Sequence, residues 1–208
     1  YTVWSGNPSY ADAARDILLD KNTRMAPEFV IGLNKDAVSL LTREMSFEEL
    51  VQDATMFNLY ARFIKPEKRK AAMKLLREGG KGIHRVLGIG QIYDASQRYL
   101  RYCPLCVQED RERYGEAYWH RSHQMRGCLV CSRHGVKLAY SAVLLTASGS
   151  PYMVAAEDVT DEKQAAVRAE EKDIELARYM RALLDAPLEL DEEIPAGPFM
   201  KSTLYGTE

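Results

Sequence analysis

Apolar positions recur at helical spacing through the first third of the chain. Ala11, Ala14, Ile17 and Leu18 fall on one face of a segment from Tyr10 to Leu19. Pro27 interrupts the next stretch, and Asp36 to Leu41 predicts a short helix. Ser46-Phe47-Glu48-Glu49 spells a capping box, in which the Ser46 oxygen takes an N3 amide while Glu49 reaches back. The helix it opens runs to about Met56. With a tight joint around residues 43–45, the two short helices read as a helix-turn-helix-like pair. Pro66 suits a first helical turn and opens another helix, Glu67 to Glu78, which stops at Gly79-Gly80. Ala71, Met73, Leu75 and Leu76 supply its apolar side.

The pattern changes further on. Tyr118, His120, Ser122 and Gln124 alternate with Trp119, Arg121 and His123, which predicts a strand with Trp119 against the core of a zinc lobe and His123 as a half-buried histidine rather than a ligand. Residues 144–159 show little periodicity and read as a loop with short extended pieces. Asp161 to Gln164 reads as a second capping box, opening a long helix to about Asp185 with Leu176, Met180 and Leu183 on one stripe. The acidic tail from Ala186 to Glu208 holds Pro187, Pro195 and Pro198 and reads as a linker or partly ordered arm. The expected fold is mostly α with a small zinc-finger lobe of short β elements. Its parts are a helical region with a helix-turn-helix-like portion over 1–95, the lobe over 96–142, and a loop, long helix and acidic tail over 143–208.

Charge sharpens this division. The overall charge is −2, but residues 1–59 carry −4, residues 60–137 carry +10 and residues 138–208 carry −8. A basic block of that size points to a polyanion, nucleic acid being the usual one; the other reading is docking on the chain's own acidic flanks. Lys68, Arg69, Lys70, Lys74 and Arg77 make the Pro66 helix the most basic in the chain. With Arg121 and Arg126 they are the candidate DNA contacts, weighed against an ordinary solvated face. Gly79-Gly80-Lys81-Gly82 lacks the first glycine and the Ser/Thr of a phosphate loop, so nucleotide binding there is rejected. No apolar run reaches the roughly 18 residues of a membrane span. The chain opens on Tyr1 rather than Met, with no signal-peptide pattern, and reads as a piece of a longer, soluble, intracellular protein.

All four cysteines fall between positions 103 and 131 in a chain of 208 residues with no dense disulfide pattern. Cys103-Pro104-Leu105-Cys106 and Cys131-Ser132-Arg133-His134 are two knuckles whose spacing turns each pair of side chains toward one ion, with about 2.3 Å from zinc to each sulfur. Four protein ligands close a tetrahedron, so the zinc would be structural rather than catalytic. Cys128 and Cys131 also stand two residues apart, and spacing alone leaves an all-cysteine site of Cys103, Cys106, Cys128 and Cys131 equally open. A thioredoxin-like redox pair lacks its βαβ context, and a Cys–His nucleophile with His120, His123 or His134 lacks an orienting third residue.

Tyr102-Cys103-Pro104-x-Cys106, Tyr118-Trp119-His120-Arg121-x-His123-Gln124 and Gly127-x3-Cys131-x-x-His134-Gly135-x-x-Leu138 together resemble the TniQ/TnsD family, target-selection proteins of Tn-seven-like transposons. Leu59-Tyr60-Ala61-Arg62-Phe63 and Ser5-Gly6-Asn7 are similar to it as well. The resemblance implies Cys103, Cys106, Cys131 and His134 as the zinc set, with Cys128 where the family has an apolar residue. It implies a target-selection adaptor rather than an enzyme, acting in the bacterial cytoplasm. Such an adaptor binds DNA or a guide complex, recruits an AAA+ ATPase transposition regulator and pairs as a homodimer. The family's segment before the Ser-Gly-Asn region is missing here, and longer members continue with further DNA-binding modules. A second function class stays open beside it: a protein-interaction module with no DNA contact of its own.

Overall fold

The computed structural model describes residues 16–18, 28–29, 32–90, 99–144 and 154–194, and the statements below concern these. Most of the helix expected from Tyr10 to Leu19, and the tail beyond 194, lie outside them. Eight helices and one two-stranded sheet are found among the described residues.

Helix α1, Lys35–Leu41, starts where the Asn34 side chain accepts the Ala37 amide. Helix α2, Phe47–Ala54, carries the capping box in full, with the Ser46 and Glu49 side chains each satisfying the other's backbone amide. Both short helices read from the sequence are present. Helix α2 buries Phe47, Leu50 and Val51 and turns Glu48, Glu49 and Asp53 outward, with no cation of its own. Helices α3, Phe57–Ala61, α4, Pro66–Arg77, and α5, Ile83–Val86, complete this half. Phe29, Phe47, Val51, Phe57, Met73 and Leu76 meet in its core. Each such burial contributes about 1.5–3 kcal/mol.

The inner stripe of α4 is Arg69, Ala72, Met73 and Leu76, whereas Ala71 faces water. Arg69 is fully buried and donates all five of its N–H groups to main-chain carbonyls. Nε reaches Ala61 at 3.1 Å, Nη2 reaches Arg62 at 2.9 Å and Ile64 at 3.2 Å, and Nη1 reaches Glu189 at 2.5 Å and Glu192 at 2.9 Å. Arg62 treats Leu183, Ala186 and Pro187 likewise. The first part of the segment read as a linker or partly ordered arm, 186–194, is therefore docked, with Leu188 2% exposed in the first core. Fixed carbonyl dipoles compensate the desolvated guanidinium, a partner that no residue spacing encodes.

Strands β1, Tyr99–Tyr102, and β2, Ala139–Leu144, pair antiparallel. Helix α6, Pro104–Tyr114, follows β1 directly, and α7, Ala156–Val159, is a single turn inside the stretch expected to be loop. The strand expected over 118–124 does not form; Arg121–Gln124 is a 3-10 turn. Its Gln124 amide replaces a strand's backbone. The Gln124 Oε1 accepts the Arg101 N–H at 3.0 Å and its Nε2 donates to the Arg101 carbonyl at 2.7 Å.

The last helix, α8, spans Glu171–Asp185 rather than opening at Asp161. The Asp161 side chain accepts the Lys163 amide at 2.8 Å, a local turn that competes with helix. Residues 165–169 then stay extended because they pair with the chain after the second knuckle. Lys137 N–H donates to Val167 at 2.8 Å and Ala169 N–H to Gly135 at 3.0 Å. The buried face of α8 is Ile174, Ala177, Leu183 and Leu184, while Leu176 is exposed. Ile174, Ala177 and Leu184 pack with Met56, Met125 and Val130 in a second core that joins the lobe to the N-terminal helices. Among the described residues no helix is long and apolar enough to cross a membrane.

Candidate metal centre

Two tight features aim the metal-ligand side chains. Cys103 caps α6 and Cys106 lies on its first turn, with Pro104 fixing the backbone between them. Cys131 and His134 sit on a turn closed by Gly135 N–H to the Cys131 carbonyl at 2.8 Å and by Cys131 N–H to the Val136 carbonyl at 2.8 Å. Gly135 holds φ 65, and a Cβ there would stand 3.0 Å from the Ile174 Cδ1. The turn thus needs glycine both for its backbone and for the close approach of α8.

The ligand atoms of Cys103, Cys106, Cys131 and His134 lie within 4.8 Å of one another. His134 Nδ1 is 3.4 Å from both the Cys103 and the Cys106 sulfur and 3.7 Å from that of Cys131. The Cys106 and Cys131 sulfurs are 3.7 Å apart, far beyond a disulfide. A tetrahedral zinc site requires about 3.8 Å between sulfurs and about 3.6 Å between sulfur and nitrogen, so the donor set fits the ion. All three cysteines are buried. Hydrogen bonds from the Cys103 and Cys106 thiols hold Cys131 far below its ordinary value. Its contacts with the Cys103 and Cys131 sulfurs push Cys106 far up. Three buried sulfurs and one imidazole nitrogen thus converge on a single point, a donor set that suits a divalent metal, whose charge would convert the thiols to thiolates.

Cys128 stands apart. Its sulfur donates to the Val130 carbonyl at 3.4 Å within the second core, where burial raises its thiol. The geometry assembles the set with His134, not the all-cysteine one. His134 Nε2 turns outward to Glu109 Oε1 at 3.2 Å, and Arg133 holds the other Glu109 oxygen at 2.9 Å. Sequence reasoning missed Glu109, although its place three residues after Cys106 on a helix put it on the same face.

A second convergence, of Cys106, His120 and His123, adjoins the first. His123 is 3% exposed, more deeply buried than its alternating pattern implies, and its Nε2 lies 3.8 Å from the Cys106 sulfur. His120 Nε2 is held by Asp110 at 2.7 Å. Trp119 packs not on the metal ligands but with Tyr102, Val107 and Ala156.

The candidate DNA contacts divide. Lys68, Lys70, Lys74 and Arg77 lie on the exposed side of α4. Lys70 pairs with Asp191, Lys74 with Glu78 at 3.9 Å and Arg77 with Glu48. Arg69 points inward and has no surface to offer a phosphate. Arg121 donates to the Gln52 and Thr55 carbonyls and to Asp185, and Arg126 to Glu28 and the Gly90 carbonyl. Arg69, Arg121 and Arg126 are thus structural, joining elements far apart in the chain. Part of the +10 block is spent on the chain's own acids and carbonyls.

These features define a mostly helical chain with a small lobe whose Cys3His cluster could hold a metal ion. A family model for TniQ matches residues 8–138, and the chain belongs to the TniQ family. It is also 29% identical over 153 residues to the "Transposon Tn7 transposition protein TnsD" of Escherichia coli. That alignment covers 70% of this chain and 28% of the relative, so the chain spans less than a third of that protein.

Proposed function

We propose that this protein is a target-selection adaptor for transposition. It contacts DNA, or a guide complex on DNA, and recruits an AAA+ ATPase transposition regulator. The family match over the metal lobe and the helices before it carries this reading. A structural zinc held by Cys103, Cys106, Cys131 and His134 fastens the start of α6 to the 131–134 turn, and through Ile174 to α8. With four protein ligands the ion's part is to hold the lobe together.

The exposed row Lys68, Lys70, Lys74 and Arg77 supplies phosphate contact. Its present partners are surface acids, and such exposed pairs are worth about 0–1 kcal/mol, so phosphates can replace them. Helix α2, with its acidic outer face, is unsuited to entering a groove. The internal use of Arg69, Arg121 and Arg126 favours a second reading, a protein-interaction module whose DNA contact lies elsewhere in the complex.

Two measurements decide between them. Capture of the AAA+ ATPase by the immobilised chain tests recruitment, and retention of none removes it. Titration with duplex DNA across a salt series tests contact: affinity that falls steeply with salt supports the adaptor, and a flat plot leaves the interaction module. Sedimentation at several concentrations tests the homodimer that the family resemblance suggests.

A further inference from the structure

A groove of about 360 Å³ runs between the metal turn and α8. Tyr118, His120, His123, Arg133, Arg178 and Arg181 line it, and among the described residues no carboxylate does. Arg178 and Arg181 stand three residues apart on α8 and so share a face. Arg133 approaches from the opposite wall, on the turn that carries Cys131 and His134. With a divalent ion bound by three thiolates, the centre below would carry a formal charge of about −1, which three guanidinium groups outweigh.

The carboxylates nearby do not neutralise these arginines one for one. Asp185 is shared by Arg181 and Arg121, Glu171 by Arg178 at 3.8 Å and Arg168 at 3.4 Å, and Glu109 by Arg133 and His134. Each acid serves two cationic or donor groups, so the groove has donors to spare for an anion. The mouth is aromatic. Tyr118 is 48% exposed and stacks on His120 at 4.3 Å and 21°, with Tyr114 edge-on to it at 5.9 Å. On the floor, His123 Nδ1 is buried without a hydrogen-bond partner.

We propose that this groove seats the phosphodiester backbone of duplex DNA between Arg133, Arg178 and Arg181, with the Tyr118–His120 stack against the adjoining sugar. The inference rests on the reading that the chain contacts DNA, and it places a phosphate site away from α4. It makes the metal centre the anchor of one wall, so zinc binding and DNA contact are mechanically linked.

Fluorescence anisotropy with a short labelled duplex over a sodium chloride series tests it. Three proteins are compared: the wild type, Arg178→Gln/Arg181→Gln, and Lys68→Gln/Lys70→Gln/Lys74→Gln. Bound zinc and circular dichroism establish that each is folded, and Arg178→Gln alone serves if the double variant is not. Loss of two phosphate contacts should reduce the log–log salt slope by about 1.8, and loss of one by about 0.9. A folded, zinc-loaded groove variant with unchanged affinity and slope overturns the groove. If the lysine variant then loses binding, DNA contact through α4 stands without it. A wild type that binds no duplex at any salt removes the DNA reading itself, and the groove with it.

Discussion

The His134 ring divides its two nitrogens between two jobs: Nδ1 faces the three cysteine sulfurs and Nε2 meets Glu109 Oε1 at 3.2 Å. A carboxylate behind a ligating histidine fixes the ring and its tautomer. Glu109→Gln should therefore leave the lobe folded with excess zinc but weaken zinc affinity by about 10–100-fold, read by competition with a chromophoric chelator. Unchanged affinity would mean that the contact does not orient the ring.

The ligand set separates by substitution. Cys131→Ser and His134→Ala should lose the metal and the order of the lobe. Cys128→Ser should keep the metal, with only a packing loss of about 1–2 kcal/mol. Metal content by mass spectrometry distinguishes them; zinc loss in Cys128→Ser with retention in His134→Ala would assign the site to the four cysteines.

Gly135 is tested by Gly135→Ala. The substituted residue would keep a φ near 65 while its Cβ pressed on Ile174 at 3.0 Å. A loss of about 1–3 kcal/mol is expected, visible as a lower midpoint in urea. An equal midpoint would show that α8 can give way.

Glu28 makes stability depend on pH. Burial alone would raise its carboxyl, but hydrogen bonds from His84, at 2.8 Å, and from Arg126 bring it below the ordinary 4.5. A depressed folded-state value means that the stabilisation is present above the unfolded value and is lost as pH falls through the folded one. The stability gap between the wild type and Glu28→Gln should be full at pH 7 and shrink below about pH 4.5. Urea midpoints at a series of pH values measure it; a gap that stays constant into acid would assign it to packing.

The parts legible in the sequence were those with a local cause. The capping box at Ser46, proline at the first turn of α4 and the two knuckles each act over three or four residues, and each stands where its spacing placed it. The illegible parts were set by distant partners. Residues 165–169 are extended because the metal turn offers them a backbone ladder. Gln124 supplies with its side chain what a strand would supply with its main chain. The basic block looked uniform in charge, yet burial divides it: Arg69 turns inward while Lys68 and Lys70 beside it turn out. Cys128 and His134 satisfy the same spacing, and only the fold, which turns Cys128 into the second core, or a family resemblance separates them.

The inward arginine also defines a stability test. Arg69→Met removes a buried cation and leaves five carbonyls without their donor. It should cost about 3 kcal/mol or more and free the 186–194 segment to proteolysis. Lys68→Met, one position away, should cost less than about 0.5 kcal/mol.

The clasp made by Arg62 and Arg69 grips oxygen atoms that every amino acid carries. Apart from the buried Leu188, side-chain identity at the exposed positions of the strap, residues 186–192, therefore matters little to these bonds, whereas both anchors need a guanidinium, because the point charge of lysine lacks the fork. Evolutionary drift should accordingly be lopsided, rapid along the exposed positions of the strap and frozen at its two anchors.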